Sequence, residues 1–333
     1  MVTIFDVARE AGVSVVTVSR LMNTPQIVSS RTADKIVSVM ERLNYQPSQL
    51  ARSLVGKRTN MIGVIVPDIR DSFFNSWFRR IEEFATARSI NLLLCNTDES
   101  AAKELQCIKL LQSQRVDGVV IAPHSRTSVE YLMNINISFM LFDRYFKDME
   151  TNVVASDHYD GAYKATEYLI RLGHRRIAIV KGPGMISVDR ERYFGYRDAM
   201  KKHRIAIEAD DVRNGGLSEH EACAAMIEMM KKKSRPTAVF SITGVMTEGV
   251  IRGARMMNVS IPDDVSLVSF DAISGQALVL PTITHVVQPV KQLGKDVIAG
   301  LLKMINEKKH APPRRIIVKP KLVIGDSCRR LSS

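Results

Sequence analysis

Two groups of side chains in this sequence have the types and spacing to recognise something. The first lies in the run SVVTVSRLMN, Ser14 to Asn23. There Val18, Leu21 and Met22 recur at i, i+3 and i+4 and form an inward face. At about 100° per residue, Val16, Ser19 and Arg20 then point outward, with Val15 and Thr17 on the flanks. A guanidinium in that position can pair with both O6 and N7 of a guanine, whereas the valines offer apolar contact to a thymine methyl.

The second group ends apolar, β-branched runs. Asp68 follows MIGVIVP, Asp143 and Arg144 end ISFMLFD, Gly182 and Pro183 end RIAIVKG, and Asp271 ends VSLVSFD. Parallel α/β sheets bind ligands outside the carboxyl ends of their strands. Carboxylates and an arginine converging there suit a hydroxyl-rich or otherwise polar ligand, with Phe73 and Phe74 as flat apolar contact. Taken singly, each aspartate also reads as a loop residue or a helix cap.

The elements that must carry these residues can be read from periodicity and caps. Ile4, Val7, Ala8 and Ala11 predict a short amphipathic helix, Gly12 a tight turn, and Ser14 the N-cap of a second helix over Val15 to Met22. Ser29 or Ser30 caps a third, running to about Leu43 with Ile36, Val37, Met40 and Leu43 inward; Asn44 to Pro47 breaks it. Ser48 to Gly56 is a short helix-capable segment or a plain linker. From Met61 strands and helices alternate. MIGVIVP, INLLLCN, DGVVIAP and ISFMLFD read as strands, with helices near 74–88, 101–114 and 128–133. A second series starts near Val153, with helices 158–172, 189–203, 218–232 and 245–257 around RIAIVKG, TAVFSI and VSLVSFD. A helix near 290–307 and the strand-like IIVKP and KLVIG close the chain. Such alternation demands parallel sheets, and two series imply two doubly wound subdomains.

DVAREAGVS, TVSRLMN, VS-x2-T-x3-I, LNYQP and ARSL-x-GKR together resemble the DNA-binding end of the lactose/galactose repressor (LacI/GalR) family, and GHRRIAIVKGP, RPTAVF and IPDDVSLVSFD resemble its periplasmic-binding-protein-like core. The resemblance covers nearly the whole chain. It implies that Val15, Val16 and Arg20 read bases, and that 48–58 is a hinge helix whose Leu54 wedges into the minor groove, a kink offset by added contacts. With it, the DNA-facing set is Thr3, Ser14, Val15, Val16, Thr17, Ser19, Arg20, Asn23, Ser29, Thr32, Tyr45, Arg52 and Leu54. The effector set is Phe73, Phe74, Asp143, Arg192, Phe240 and Asp271, with Asp157 at the cleft rim. Three departures from the family pattern stand out. Thr243-Gly244 replaces an acidic helix start, Ile186 a position that is polar in purine-binding relatives, and Leu217 an aromatic of some sugar-binding members.

Bulk properties bound these readings. At 45% hydrophobic and 25% charged, 333 residues make ordinary globular material of about two domains. The net charge of +12 favours a polyanionic partner. Residues 1–60 hold eight Lys and Arg against four acids, while KKHR at 201–204, KKK at 231–233 and KKH at 308–310 read as solvated helix ends. No apolar run is long enough to span a membrane and no secretory signal is seen, which points to the cytoplasm. Four scattered cysteines without CxxC spacing predict buried free thiols rather than a metal site, and no GxSxG, P-loop, GxGxxG or HExxH suggests catalysis. The expectation is therefore a helix-turn-helix domain over 1–46, a hinge over 47–59 and an effector-binding, dimerising core over 60–333. It would be a regulator, a repressor without metal or cofactor, that binds a palindromic operator in double-stranded DNA as a homodimer, with tetramers left open. Its small-molecule effector would be a sugar or sugar derivative, with a nucleobase as the alternative. A cytoplasmic solute-binding protein is the competing class.

Overall fold

The computed structural model describes residues 2–23, 25–45, 58–275, 280–307 and 312–331. They form two compact bodies, Met1–Met61 with Arg115–Asp117, and Ile62–Gln114 with Gly118–Ser333.

In the first body, α1 (Ile4–Ala11) starts with a capping box. Asp6 N donates to Thr3 Oγ1, and Thr3 N donates to the Asp6 carboxylate at 3.0 Å. Gly12 closes the helix at φ 60°, a backbone that costs glycine little. Ser14 Oγ accepts from Thr17 N at 3.1 Å and opens α2 (Val15–Asn23). Ser29 caps α3 (Ser30–Arg42). The three helices enclose Val7, Ala8, Ala11, Val18, Ile36, Val39 and Tyr45. Val37, expected inside, is 45% exposed. The inward stripe runs Ile36, Val39, Met40, Leu43, and Val37 lies about 100° around the helix from Ile36.

The second body contains two six-stranded sheets. The first has β1 (Met61–Val66), β2 (Asn91–Asn96), β3 (Gly118–Ile121), β4 (Ser138–Phe142), β5 (Val153–Ser156) and β11 (Arg315–Val318), in the order β11-β5-β4-β3-β1-β2. The second has β6 (Ile177–Lys181), β7 (Val212–Asn214), β8 (Ala238–Ser241), β9 (Ser266–Phe270), β10 (Thr284–Val287) and β12 (Lys321–Val323), in the order β12-β10-β9-β8-β6-β7. From β11 to β1 in the first sheet and from β10 to β7 in the second the pairings are parallel, and β12 runs antiparallel to β10. The helices between them are α4 (Ser72–Thr86), α5 (Ala101–Ser113), α6 (Arg126–Asn134), α7 (His158–Arg171), α8 (Ser187–Lys202), α9 (Glu219–Met230), α10 (Gly244–Met256) and α11 (Val290–Asn306).

The periodic reading placed the long helices within a few residues and missed the short strands β5, β7 and β10. The chain also passes between the subdomains more than once. α11 leaves the second sheet and buries Leu293, Val297, Ile298 and Leu301 against Trp77 and Ile81 of the first. β11 then completes the first sheet and β12 the second. All four cysteines are free, but only Cys223 is buried and the others are half-buried. Among the described residues no helix is long and apolar enough to cross a membrane.

Candidate functional site

In the second body, residues at the carboxyl ends of both sheets meet. From the first subdomain come the start of α4 and the residues after β4. Asp71 caps α4, accepting from Phe73 N at 2.9 Å. Phe73 and Phe74 are only 6% and 3% exposed. Phe73 stacks on Phe142 with ring centroids 5.7 Å apart, and Trp77 stacks on the same ring at 3.7 Å. The residue after Phe142 is Asp143, held at φ 63°. Arg144 beside it makes two 2.7 Å bonds to the Glu99 carboxylate. Despite burial, those bonds hold Glu99 down to about 2.

From the second subdomain come the starts of α7 and α8 and the residue after β9. Asp271 follows Phe270 with φ 69°, and Gln288 Nε2 donates to both of its oxygens at 2.8 and 3.1 Å. Arg192 is 3% exposed, with its guanidinium 3.6 Å above the Phe270 ring. Its Nη1 donates to Ile242 O at 2.6 Å, and an Nη2 lies 3.5 Å from Asp271 Oδ2. Arg192 Nε also donates to His158 Nδ1 at 3.3 Å. An accepting Nδ1 puts the ring proton on Nε2, which donates to Asp143 O at 3.4 Å and lies 3.1 Å from Asp143 Oδ1. Asp143, His158, Arg192 and Asp271 therefore make one connected polar chain across the two subdomains.

The subdomains also touch directly. Ser72 Oγ donates to Ala272 O at 2.5 Å, Tyr145 N to Ser187 Oγ at 3.0 Å, and Tyr145 OH to the Glu191 carboxylate at 2.6 Å. Closure brings carboxylates together. Burial, then the Asp271 charge, raise Asp71 to about 7, against the helix-cap bond and Arg192 and Arg144. Burial likewise raises Asp271 to about 6, with Arg192 and Gln288 opposing. Asp189, in the first turn of α8, is pushed up by burial against Gly184 N and the two arginines.

The sequence-derived set divides accordingly. Asp143, Arg192 and Asp271 come together, and Phe73 and Phe74 back them from the core. Phe240 is 0% exposed and packed in the second core rather than in this cluster, because β8 is an interior parallel strand covered on both faces and buried along its whole length. Asp68 pairs with exposed Arg70 at 2.7 Å, and Asp157 caps α7 by accepting from Asp160 N at 2.9 Å. Thr243 preserves the cap of α10 with its hydroxyl, accepting from Met246 N at 3.1 Å, so the lost acid does not uncap that helix. Asp71, Glu99, Tyr145, His158, Asp189 and Gln288 were missed. Asp189 could have been found three residues before Arg192, on the same helical face; His158 gave no local signal, because its partners Asp143 and Arg192 lie 15 and 34 residues away along the chain.

In the first body, α2 presents the expected face. Val16 is 58% exposed, Arg20 is exposed, and Val15, Thr17 and Ser19 are half-buried. Thr3, Ser14 and Ser29 serve as helix caps, and the Thr32 hydroxyl lies 2.8 Å from that of Ser29. Such helix starts, with free backbone N–H groups, are suited to phosphate. Tyr45 is 9% exposed and packs in the helical core. The Asn23 side chain and the hinge, with Arg52 and Leu54, lie outside the described residues.

Residues 3–48 match the family of bacterial regulatory proteins, lacI family, and residues 166–328 match a periplasmic binding protein-like domain. The chain is 34% identical over 329 residues to the ribose operon repressor of Halalkalibacterium halodurans, covering 99% of this chain and 98% of the relative. It is 30% identical to the transcriptional repressor PurR of Haemophilus influenzae, over 99% and 100% of the two chains. A crystal structure of the lac repressor dimer bound to operator and the anti-inducer ONPF is similar with a TM-score of 0.86 at 25% identity, covering 98% of this chain and 99% of that one.

Proposed function

The chain belongs to the LacI family of transcriptional regulators, and from that premise we propose that a sugar or sugar derivative, bound between the core subdomains, controls its affinity for operator DNA. A regulator of this family is a DNA-binding protein with a ligand-binding core, not an enzyme. In this reading it acts in the cytoplasm as a homodimeric repressor, α2 entering the major groove of each operator half-site.

The polar chain from Asp143 through His158 and Arg192 to Asp271 carries the reading of the core. It draws on both subdomains, so a ligand that inserts into it has different contacts in open and closed arrangements. That difference is what an effector needs to shift a population. The nucleobase alternative draws on the likeness to a purine repressor. Against it, the rings of Phe73 and Phe74 are turned into the core rather than left free to stack on a flat ligand.

Selection of binding sites from a random duplex pool, followed by gel shifts with and without sugars and nucleobases, tests the proposal. A two-fold symmetric site whose affinity changes with a sugar is expected. An asymmetric site, or a response to nucleobases alone, would sink it.

A further inference from the structure

We propose that the ligand of the cleft is an amino sugar: a polyhydroxyl compound that carries a cationic amine, and neither a phosphate nor a carboxylate. The inference rests on the cleft being the effector site and names the ligand class that its charges select.

Four aspartates converge there, Asp71 and Asp143 from the first subdomain and Asp189 and Asp271 from the second. Two guanidinium groups face them. Arg144 is already neutralised by its paired bonds to Glu99. Arg192 remains, and it is shared among Ile242 O, His158 and Asp271. Asp143, Asp189 and Asp271 are at most 6% exposed and Asp71 is half-buried, and carboxylates so placed are costly when unpaired. Burial, with the Asp271 charge acting on Asp71 and the Asp143 charge on Asp271, pushes both carboxyls up, as expected for groups short of cations.

Hydrogen-bond vacancies point the same way. Asp189 is 1% exposed and Gln288 3% exposed, yet among the described residues Asp189 Oδ1 and Gln288 Oε1 have no hydrogen-bond partner. Gln288 is anchored on Asp271, and Asp189 faces Arg144 and Arg192, so both acceptors belong to this cluster. The Asp189 carboxylate also overlies Gly182 so closely that a Cβ there has no room, which fixes its place. Arg144 Nε is a buried donor of the cluster in the same condition, and a ring hydroxyl can accept from it. An ammonium brings three donors and a positive charge to the aspartates. A phosphate or carboxylate would add to a negative excess.

Thermal melting of the full-length protein tests this with matched sets built on glucose, galactose and mannose: the neutral hexose, its 2-amino-2-deoxy form, the N-acetylated amine and the 6-phosphate. In at least one set the free amine should raise Tm at a concentration where the other three do not, and calorimetry should find it bound at least tenfold more tightly. Asp189→Asn, which keeps shape and removes charge, should narrow that preference for amine over neutral sugar. If the neutral, acetylated or phosphorylated form binds as well as the amine in every set, the amine assignment is overturned while the effector cleft stands. If no sugar of any form shifts Tm, both fall.

Discussion

Asp143 and Asp271 hold equivalent places in the two subdomains. Each follows a strand that ends in phenylalanine, Phe142 in β4 and Phe270 in β9, and each has a left-handed backbone, with φ of 63° and 69°. Aspartate tolerates that conformation better than most residues, and strain of this kind gathers at ligand sites. His158 stands 3.1 Å from the first aspartate and Arg192 3.5 Å from the second, and Arg192 donates to His158. The two strand ends are thereby coupled through α7 and α8.

Removal of Arg192 should uncouple ligand from DNA. A charge-assisted bond contributes about 1.5–3 kcal/mol, so Arg192→Ala should bind effector roughly tenfold to a hundredfold more weakly and still bind operator. Trp77 reports on the same site, because its ring stacks on Phe142, next to Asp143. Its fluorescence should change with ligand in the parent and stay flat in the variant at the same ligand concentration. An unaltered response in Arg192→Ala would remove this residue from the site.

Asp71 gives the core a pH signature. Its folded pKa of about 7 exceeds the ordinary 3.8, so the folded state holds this proton more tightly than the unfolded chain does. The stabilisation is complete below about 4 and is lost as pH rises through 7. Asp71→Asn keeps a good cap on α4 and removes the titration. Its Tm should exceed the parent's at pH 8, with the gap closing toward pH 4. A difference independent of pH would show that the carboxyl is not raised.

Arg20 should separate specific from non-specific binding. Its exposed guanidinium, on the face shared with Val16, can contribute about 1–3 kcal/mol of base discrimination. Arg20→Ala should lower the ratio of specific to non-specific affinity by roughly tenfold to a hundredfold. An equal fall in both would reduce Arg20 to a phosphate contact.

Gly195 lets α7 and α8 approach closely. A Cβ there would meet Tyr163 N at 2.8 Å, with Tyr159 O closer still. Both obstacles are backbone and cannot swing away. Gly195→Ala should therefore cost about 1–3 kcal/mol, read as a lower urea midpoint, and should disturb the His158–Arg192 contact between the same helices. A variant as stable as the parent would mean that the helices part without cost.

The first body was legible because its signals are local. A capping box, a glycine C-cap and hydroxyl caps act within four residues, and sequence spacing displays them directly. Strand-and-helix alternation gave the two-subdomain core for a similar reason, and the strand-end rule found Asp143 and Asp271. Tertiary packing alone decided the rest. It brings α11 and β11 back to the first sheet, since Leu293 and Val297 can be buried by either subdomain as far as periodicity tells. It turns Phe240 into a core and leaves Val37 outside, because burial depends on what lies opposite and not on hydrophobicity. Above all it places His158 between Asp143 and Arg192, and Asp71 near Asp271, pairs separated along the chain by loops, strands and helices whose spacing says nothing of distance. Local propensity wrote the elements into the sequence; the charge balance of the cleft exists only once the sheets have met.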